Sequence, residues 1–274
     1  MASYMETAME IARDSGALIN NFAERRIPFQ LKGDFYLVTE ADKACEELIV
    51  SRLQSYFPTH SIVGEEGGER KGSSEYCWYV DPVDGTTNFA HGFPVYNTTL
   101  ALARNGEMIA GVVLDPTRNE MFAAEKGGGA YLNGHRIKVS KAQRVEDSLV
   151  ATGFPSLRRH QNVNVHFYYQ LALQSHGVRR AGAAAIDLAY VACGRLDAFW
   201  EFGLNSWDMA AGLLLIEEAG GKCTNMLGGP SSLTGKHLLS TNGLIHEEML
   251  GLFAGIFEGK WKYPMVEMTD PSKK

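Results

Sequence analysis

The segment Asp81-Pro-Val-Asp-Gly-Thr-Thr-Asn-Phe89 follows the apolar run Tyr76-Cys-Trp-Tyr-Val80. The run reads as a buried strand, and the segment as the mouth of that strand. Two carboxylates stand three residues apart there, and no Lys or Arg occurs in the dozen residues after Asp84. Like charges at the end of a buried strand repel, so the segment asks for positive charge from outside the chain. Pro82 stiffens the turn between the acids, and Gly85 lets backbone approach a ligand closely. If a helical turn begins after Gly85, the N–H groups of Gly85, Thr86 and Thr87 face an anion. One stretch then offers carboxylates to cations and amides to phosphate, with Thr86 placed to orient a water.

On the N-terminal side, residues 5–25 carry Ala8, Ile11, Ala12, Leu18, Ile19 and Phe22 on one helical face. A second helix is predicted after Thr39, which caps it with Asp42 at the capping-box position, and Pro58 stops it. Beyond it the period becomes two. His60–Glu69 reads as a strand and loop, Val95–Pro116 as a hairpin turning at Asn105-Gly106, and Glu120–Ser140 as a further pair of strands turning at Asn133-Gly134. The run Gly127–Gly129 lacks the phosphate-loop frame and reads as loop or bulge.

The C-terminal half alternates. Asp147–Phe154 reads as a strand, 160–175 as a helix, and Gly177–Gly182 as extended. An apolar helix over Ala183–Arg195 is closed by Gly194, and Leu196–Glu201 is a strand. A helix capped by Ser206 stops at Gly220-Gly221. Lys222–Asn225 and His237–Asn242 are strands, and Gly243–Phe257 is a final helix. Two halves follow, 1–148 and 149–262, with a loose polar tail at 263–274, and the pattern predicts layered α+β structure.

The chain has 274 residues, 45% of them hydrophobic, which suffices for a large core. A net charge of −6 argues against nucleic acid as a general surface partner. Cys45, Cys77, Cys193 and Cys223 form no C-x-x-C pair, which excludes zinc spacing and fits reduced thiols in the cytoplasm. The first residues lack a secretory pattern, and no apolar run reaches the ~20 residues of a membrane span.

Acids stand at four element ends: Asp42, Glu65-Glu66, Asp81 with Asp84, and Asp208. Each has a structural reading: Asp42 as a cap, Asp208 in the first turn of a helix, and the glutamates as solvated loop acids. Together, oxygen donors without His or Cys suit Mg²⁺ or Ca²⁺. The spacing Asp81-Pro-Val-Asp84 differs from the D-x-D of aspartyl-phosphate phosphatases, and no EF-hand loop occurs. His91 reads as an incidental loop residue, and Arg158-Arg159 and Arg179-Arg180 as surface pairs.

These stretches resemble the inositol monophosphatase family of metal-dependent, lithium-sensitive phosphatases. The likeness rests on Gly64-Glu-Glu66, Asp81–Phe89, Trp207–Gly212, the Val38–Asp42 stretch and Ala181–Glu201, and spans residues 5 to 260. It implies an α/β/α/β/α sandwich, a homodimer, and a small phosphate monoester as substrate. It implies Mg²⁺ on Glu65, Asp81 and the Val83 carbonyl, a second Mg²⁺ on Asp81, Asp84 and Asp208, and a third, weaker ion near Glu65. Asp42 would support Thr86, and Thr86 with Glu65 would activate water. The Gly85 and Thr86 amides would bind phosphate. Asp84, Glu201 and the stretch Gly182, Ala183 and Ala184 would line the substrate pocket. Ala183 stands where the family often has Ser or Thr, which takes one hydroxyl from the pocket. The sequence Thr86-Thr-Asn-Phe89, without Lys or Arg, leans toward myo-inositol monophosphate. Histidinol phosphate, fructose bisphosphate and a binding role in an RNA or transcription complex are the alternatives.

Overall fold

The computed structural model describes residues 3–25, 30–31, 37–154 and 162–265. Its helices are α1 (Tyr4–Arg25), α2 (Glu40–Tyr56), α3 (Thr86–Ala90), α4 (Asn164–Ala172), α5 (Ala184–Ala192), α6 (Ser206–Glu218) and α7 (His246–Phe257). Its strands are β1 (Gln30–Leu31), β2 (Leu37–Val38), β3 (Ser61–Gly64), β4 (Gly68–Arg70), β5 (Tyr76–Asp84), β6 (Asn97–Arg104), β7 (Glu107–Asp115) and β8 (Glu120–Glu125). They continue with β9 (Gly129–Leu132), β10 (His135–Arg136), β11 (Leu149–Thr152), β12 (Gly177–Arg179), β13 (Ala198–Phe202), β14 (Lys222–Thr224) and β15 (His237–Thr241).

Two large sheets form. The first runs β10-β9-β8-β7-β6-β5-β3-β4 and is antiparallel except where β3 meets β5. The second runs β12-β11-β13-β15-β14, with β12, β11 and β13 parallel. Helices α1 and α2 cover the outer face of the first sheet through Ile11, Ile49 and Leu53 against Trp78, Leu100 and Val112. Helices α4 and α7 cover the outer face of the second through Phe167 and Phe253 against Trp200 and Leu239. Between the sheets lie α5 and α6, where Leu188, Leu214 and Leu215 meet Val113, Phe122 and Phe199. A helix apolar on all sides belongs in such a middle layer. In α6 every residue from Met209 to Ile216 is buried. The result is the predicted α/β/α/β/α sandwich.

The predicted hairpin turns hold: Asn105 and Gly106 have φ 51° and 82°, and Asn133 and Gly134 have φ 48° and 79°. Positive φ at both positions makes the turn that suits twisted strands. The glycine run forms the turn from β8 to β9. Three expectations change. The loop after Gly64 turns back as β4, whose exposed Gly68-Glu-Arg70 shows no alternation that periodicity could detect. Helix α4 spans nine residues rather than the sixteen of 160–175, and residues 160–161 lie outside the described residues. The cap of α6 is Asn205, one residue before Ser206, because Asn205 has the extended backbone and the reciprocal box with Asp208. The pair Arg158-Arg159 and most of the 263–274 tail also lie outside the described residues.

The middle layer is packed at backbone contact. A Cβ at Gly111 of β7 would stand 3.0 Å from the Ala211 Cα and 3.2 Å from its carbonyl oxygen. Because Ala211 shares α6 with Asp208, this contact also sets the depth of that acid. Gly111→Val should destabilise the fold by about 1–3 kcal/mol through overpacking. Urea unfolding checks this, and an unchanged midpoint would show that the interface can relax.

Candidate active site

The corner begins with a strand irregularity. In a regular strand, residues three apart point to opposite faces. On β6, however, Asp81 pairs with Thr99 and Asp84 with Asn97, so three steps of β5 oppose two of β6. This bulge at Pro82-Val83 carries Asp81 and Asp84 to the same side. Pro82 has no N–H to contribute to a ladder, which makes it a natural bulge residue. Asp81 is 2% and Asp84 9% exposed.

Asp84 is held on several sides. Its Oδ2 accepts from Asn97 Nδ2 at 2.7 Å and from the Ala185 amide at 2.8 Å, and its Oδ1 accepts from the Ala184 amide at 3.2 Å. The Gly85 amide also donates to it. Asp84 thus caps α5 from a strand a hundred residues away, because the α5 N-cap, Ala183, has no side chain for the task. The expected role of the Gly85 N–H toward phosphate therefore meets a competing acceptor, its own neighbour's carboxylate. Helix α3 makes its first backbone bond from Phe89 N to Gly85 O, which leaves the Thr86, Thr87 and Asn88 amides without intrahelical acceptors. Gly85 sits at φ 91°, and a Cβ there would meet the Val95 carbonyl at 2.8 Å. Both the conformation and the space demand glycine.

Asp42 answers its two readings together. Its Oδ2 accepts from the Thr39 amide at 2.7 Å and hydroxyl at 2.5 Å, closing the capping box of α2. Its Oδ1 accepts from the Thr86 hydroxyl at 3.1 Å. The Val83 carbonyl lies at the same distance from that hydroxyl, 3.1 Å. Asp208 repeats the device at the start of α6: its Oδ2 closes the box by accepting from the Asn205 amide at 2.7 Å. Each acid sits at the third position of a helix and spends an oxygen on the cap, and Asp42 turns its other oxygen to Thr86.

Burial and mutual repulsion dominate the electrostatics. Glu65 is pushed up to about 8, first by burial and then by the charge of Asp208. Burial raises Asp81 well above the carboxylate range, and Glu65, Asp84 and Asp208 add to it. Asp208 is pushed up to about 7 by burial and by Asp84. Glu65 and Asp81 share a hydrogen bond, which two carboxyl groups form by sharing a proton. Among the described residues, none of Asp42, Asp81, Asp84, Asp208 and Glu201 forms an ion pair. Among those residues, too, no three Asp, Glu, His or Cys side chains already close into a coordination cage. The donors around the corner are carboxylate, carbonyl and hydroxyl oxygens, a set that fits Mg²⁺.

Glu201, at the end of β13, is 9% exposed and backs onto Gly153, where a Cβ would collide with its carboxylate. Burial raises its pKa well above the usual range, followed by the charges of Asp208, Asp187 and Asp84, while Arg180 opposes them. Gly182, Ala183 and Ala184 connect β12 to α5, and Asn88 ties them to α3 by donating to the Ala181 carbonyl at 2.8 Å. Two residues of this wall were not expected. Asp187 is 2% exposed on α5, and its one sequence signal was an acid inside an otherwise apolar helix. Arg180 is exposed, as a surface residue should be, yet its charge acts on both Glu201 and Asp187.

Comparison with known proteins agrees with this fold. The model of the inositol monophosphatase family matches residues 1–259. The chain is 46% identical over 251 residues to the Nus factor SuhB of Pseudomonas aeruginosa, covering 88% of this chain and 92% of that protein. It is 41% identical over 249 residues to an inositol-1-monophosphatase of Mesorhizobium japonicum, covering 90% and 91%. The solved inositol monophosphatase of Anabaena (Nostoc) sp. PCC 7120 superposes with a TM-score of 0.83 at 39% identity, covering 90% and 94% of the two chains.

The raised acids set a stability profile. In the folded protein Glu65 near 8 and Asp208 near 7 hold protons that the unfolded chain has already released above the ordinary carboxylate range. Stability from this source is therefore full below that range and is lost as pH rises through 7 to 8. In chelator, the melting temperature should fall by several degrees between about pH 6.5 and about pH 8.5, a window above ordinary His titration. Asp208→Asn should flatten the lower part of that fall. A wild-type melting temperature that is flat or rises across the window would contradict the assignment.

Proposed function

Because the chain belongs to the inositol monophosphatase family, we propose that it is a Mg²⁺-dependent phosphomonoesterase acting on myo-inositol monophosphate. The observation that carries the reading is the meeting of acids from four separate stretches at one corner, each raising the pKa of another. Glu65, Asp81 and the Val83 carbonyl would hold one Mg²⁺, and Asp81, Asp84 and Asp208 a second, with a third, weaker ion near Glu65. When bound, the metal acidifies the attacking water and neutralises the leaving oxygen.

The chain's own residues do the rest. The Thr86 hydroxyl, gripped by Asp42, aims its lone pair at the incoming water. Glu65 takes the proton in its ionised form, which bound cations would favour. The open amides at the start of α3 receive phosphate oxygens, which fixes phosphorus in line with the water. Asp84 is immobilised by its amide donors, which fixes the orientation of its carboxylate. Glu201 accepts from a substrate hydroxyl, and the small stretch Gly182, Ala183 and Ala184 leaves room for a polyol ring. The same reading carries inhibition by Li⁺, a homodimer and a cytoplasmic location. No helix among the described residues is long and apolar enough to cross a membrane.

A second reading is a binding role in an RNA or transcription complex. The observation in its favour is the P. aeruginosa relative that bears the name Nus factor. Histidinol phosphate and fructose bisphosphate are the rival substrates within the enzymatic reading.

The test is phosphate release from a panel of these esters with and without Mg²⁺. Asp81→Asn and Asp208→Asn should each lower kcat/KM roughly 100-fold or more, since several kcal/mol of charge stabilisation is lost. Wild-type turnover in either variant would defeat the enzymatic reading, and a dead variant that still rescues a deletion phenotype would favour the binding role. Glu201→Gln should raise KM for inositol phosphate with little change in kcat, because it removes ground-state and transition-state contact alike. A fall in kcat at constant KM would instead place Glu201 among the reacting groups.

A further inference from the structure

Helix α2 carries a second buried acid one turn beyond Asp42. Glu46 is 5% exposed, and among the described residues it forms no ion pair. Its Oε2 accepts from the Glu66 amide at 2.8 Å and its Oε1 from the Gly67 amide at 2.5 Å. Both oxygens thus grip the loop that carries Glu65, from the residue immediately after it onward.

The glycines around that loop record the same contact. A Cβ at Gly64 would stand 2.8 Å from Glu46 Oε2, and one at Gly67 would stand 2.5 Å from Oε1. Neither glycine has a positive φ, so their backbones would accept any residue. The nearest atoms to an added Cβ at either position belong to the Glu46 carboxylate. Gly68 is the opposite case: it has φ 70° and nothing within 4 Å of a built Cβ, so conformation alone explains it. Residues four apart on a helix share a face. Asp42 and Glu46 therefore act from one side of α2, the first on Thr86 and the second on the Glu65 loop.

We propose that Glu46 is a positioning residue for the Glu65 loop. It fixes the loop by two charge-assisted bonds, and Gly64 and Gly67 exist to admit its carboxylate. Helix α2 then sets Thr86 and Glu65 in mutual register, as the water-activating pair requires. This rests on the phosphatase reading above. Carboxylates that orient ligand-bearing groups typically change metal affinity or activity ~10–100-fold when lost.

The experiment uses the full chain and variants Glu46→Ala, Glu46→Gln, Gly67→Ala and the double variant Glu46→Ala with Gly67→Ala. Mg²⁺ alone is titrated calorimetrically, and activity is followed against Mg²⁺ and against substrate. Glu46→Ala and Gly67→Ala should each weaken Mg²⁺ binding ~10–100-fold while substrate KM at saturating Mg²⁺ holds within about twofold. The double variant should be no worse than either single one, because the Gly67 Cβ clashes only with the carboxylate that Glu46→Ala removes. Glu46→Gln keeps the volume and guards against a failure of Glu46→Ala to fold, and it should show the same loss of Mg²⁺ affinity. Wild-type Mg²⁺ affinity in folded Glu46→Gln, or additive losses in the double variant, would overturn the proposal. If that happens while Asp81→Asn is inactive, the phosphatase reading stands and this one falls. If Asp81→Asn is active as well, both fall.

Discussion

Repulsion between carboxylates held away from water is the constraint on which this structure turns. Burial raises the pKa of Asp81, Asp84, Asp208 and Glu65, and neighbouring carboxylates raise Asp81, Asp208 and Glu65 further. A fold optimised for stability alone would not bring them together, since a buried unpaired charge is costly. The surroundings spend many ordinary interactions on keeping them there. Two capping boxes, the α5 amides and a buried asparagine all hold acid oxygens in place.

Those interactions explain why the site lies between layers. Asp42 comes from an outer helix, Asp81 and Asp84 from the first sheet, Asp208 from a middle helix, and Glu201 from the second sheet. Each is at an element end, where backbone donors are open and a turn can be shaped. The sandwich supplies rigidity at those ends through close packing such as that of Gly111 on Ala211. The corner is thus the point where the ends of both sheets and four helix N-termini meet, and the acids follow from that convergence.

The rival structural and functional readings of single residues were not alternatives. Asp42 and Asp208 are helix caps, as their positions suggest, yet Asp42 also holds Thr86 and Asp208 raises the pKa of Glu65 and Asp81. A carboxylate has about four lone-pair sites, so one side chain can serve both ends. One reading failed because a local signal was asked to decide between neighbours. Ser206 and Asn205 are both good caps in sequence, and only backbone geometry chose Asn205.

By itself, the sequence determined most of the periodic elements, the hairpin turns, the order of α and β segments and the acids at element ends. These are local properties: period, turn chemistry and residue type at an element's end are written within a few neighbours. The tertiary structure alone decided that a bulge puts Asp81 and Asp84 on one side. It alone decided that Ala184 and Ala185 bind Asp84 from a hundred residues away, and that Glu46 occupies the space beside Gly64 and Gly67. It also brought the charges of Arg180 and Asp187 within reach of Glu201. Such contacts join segments with no shared period. They depend on where whole sheets and helices come to rest against one another, and no pattern within any one segment encodes that.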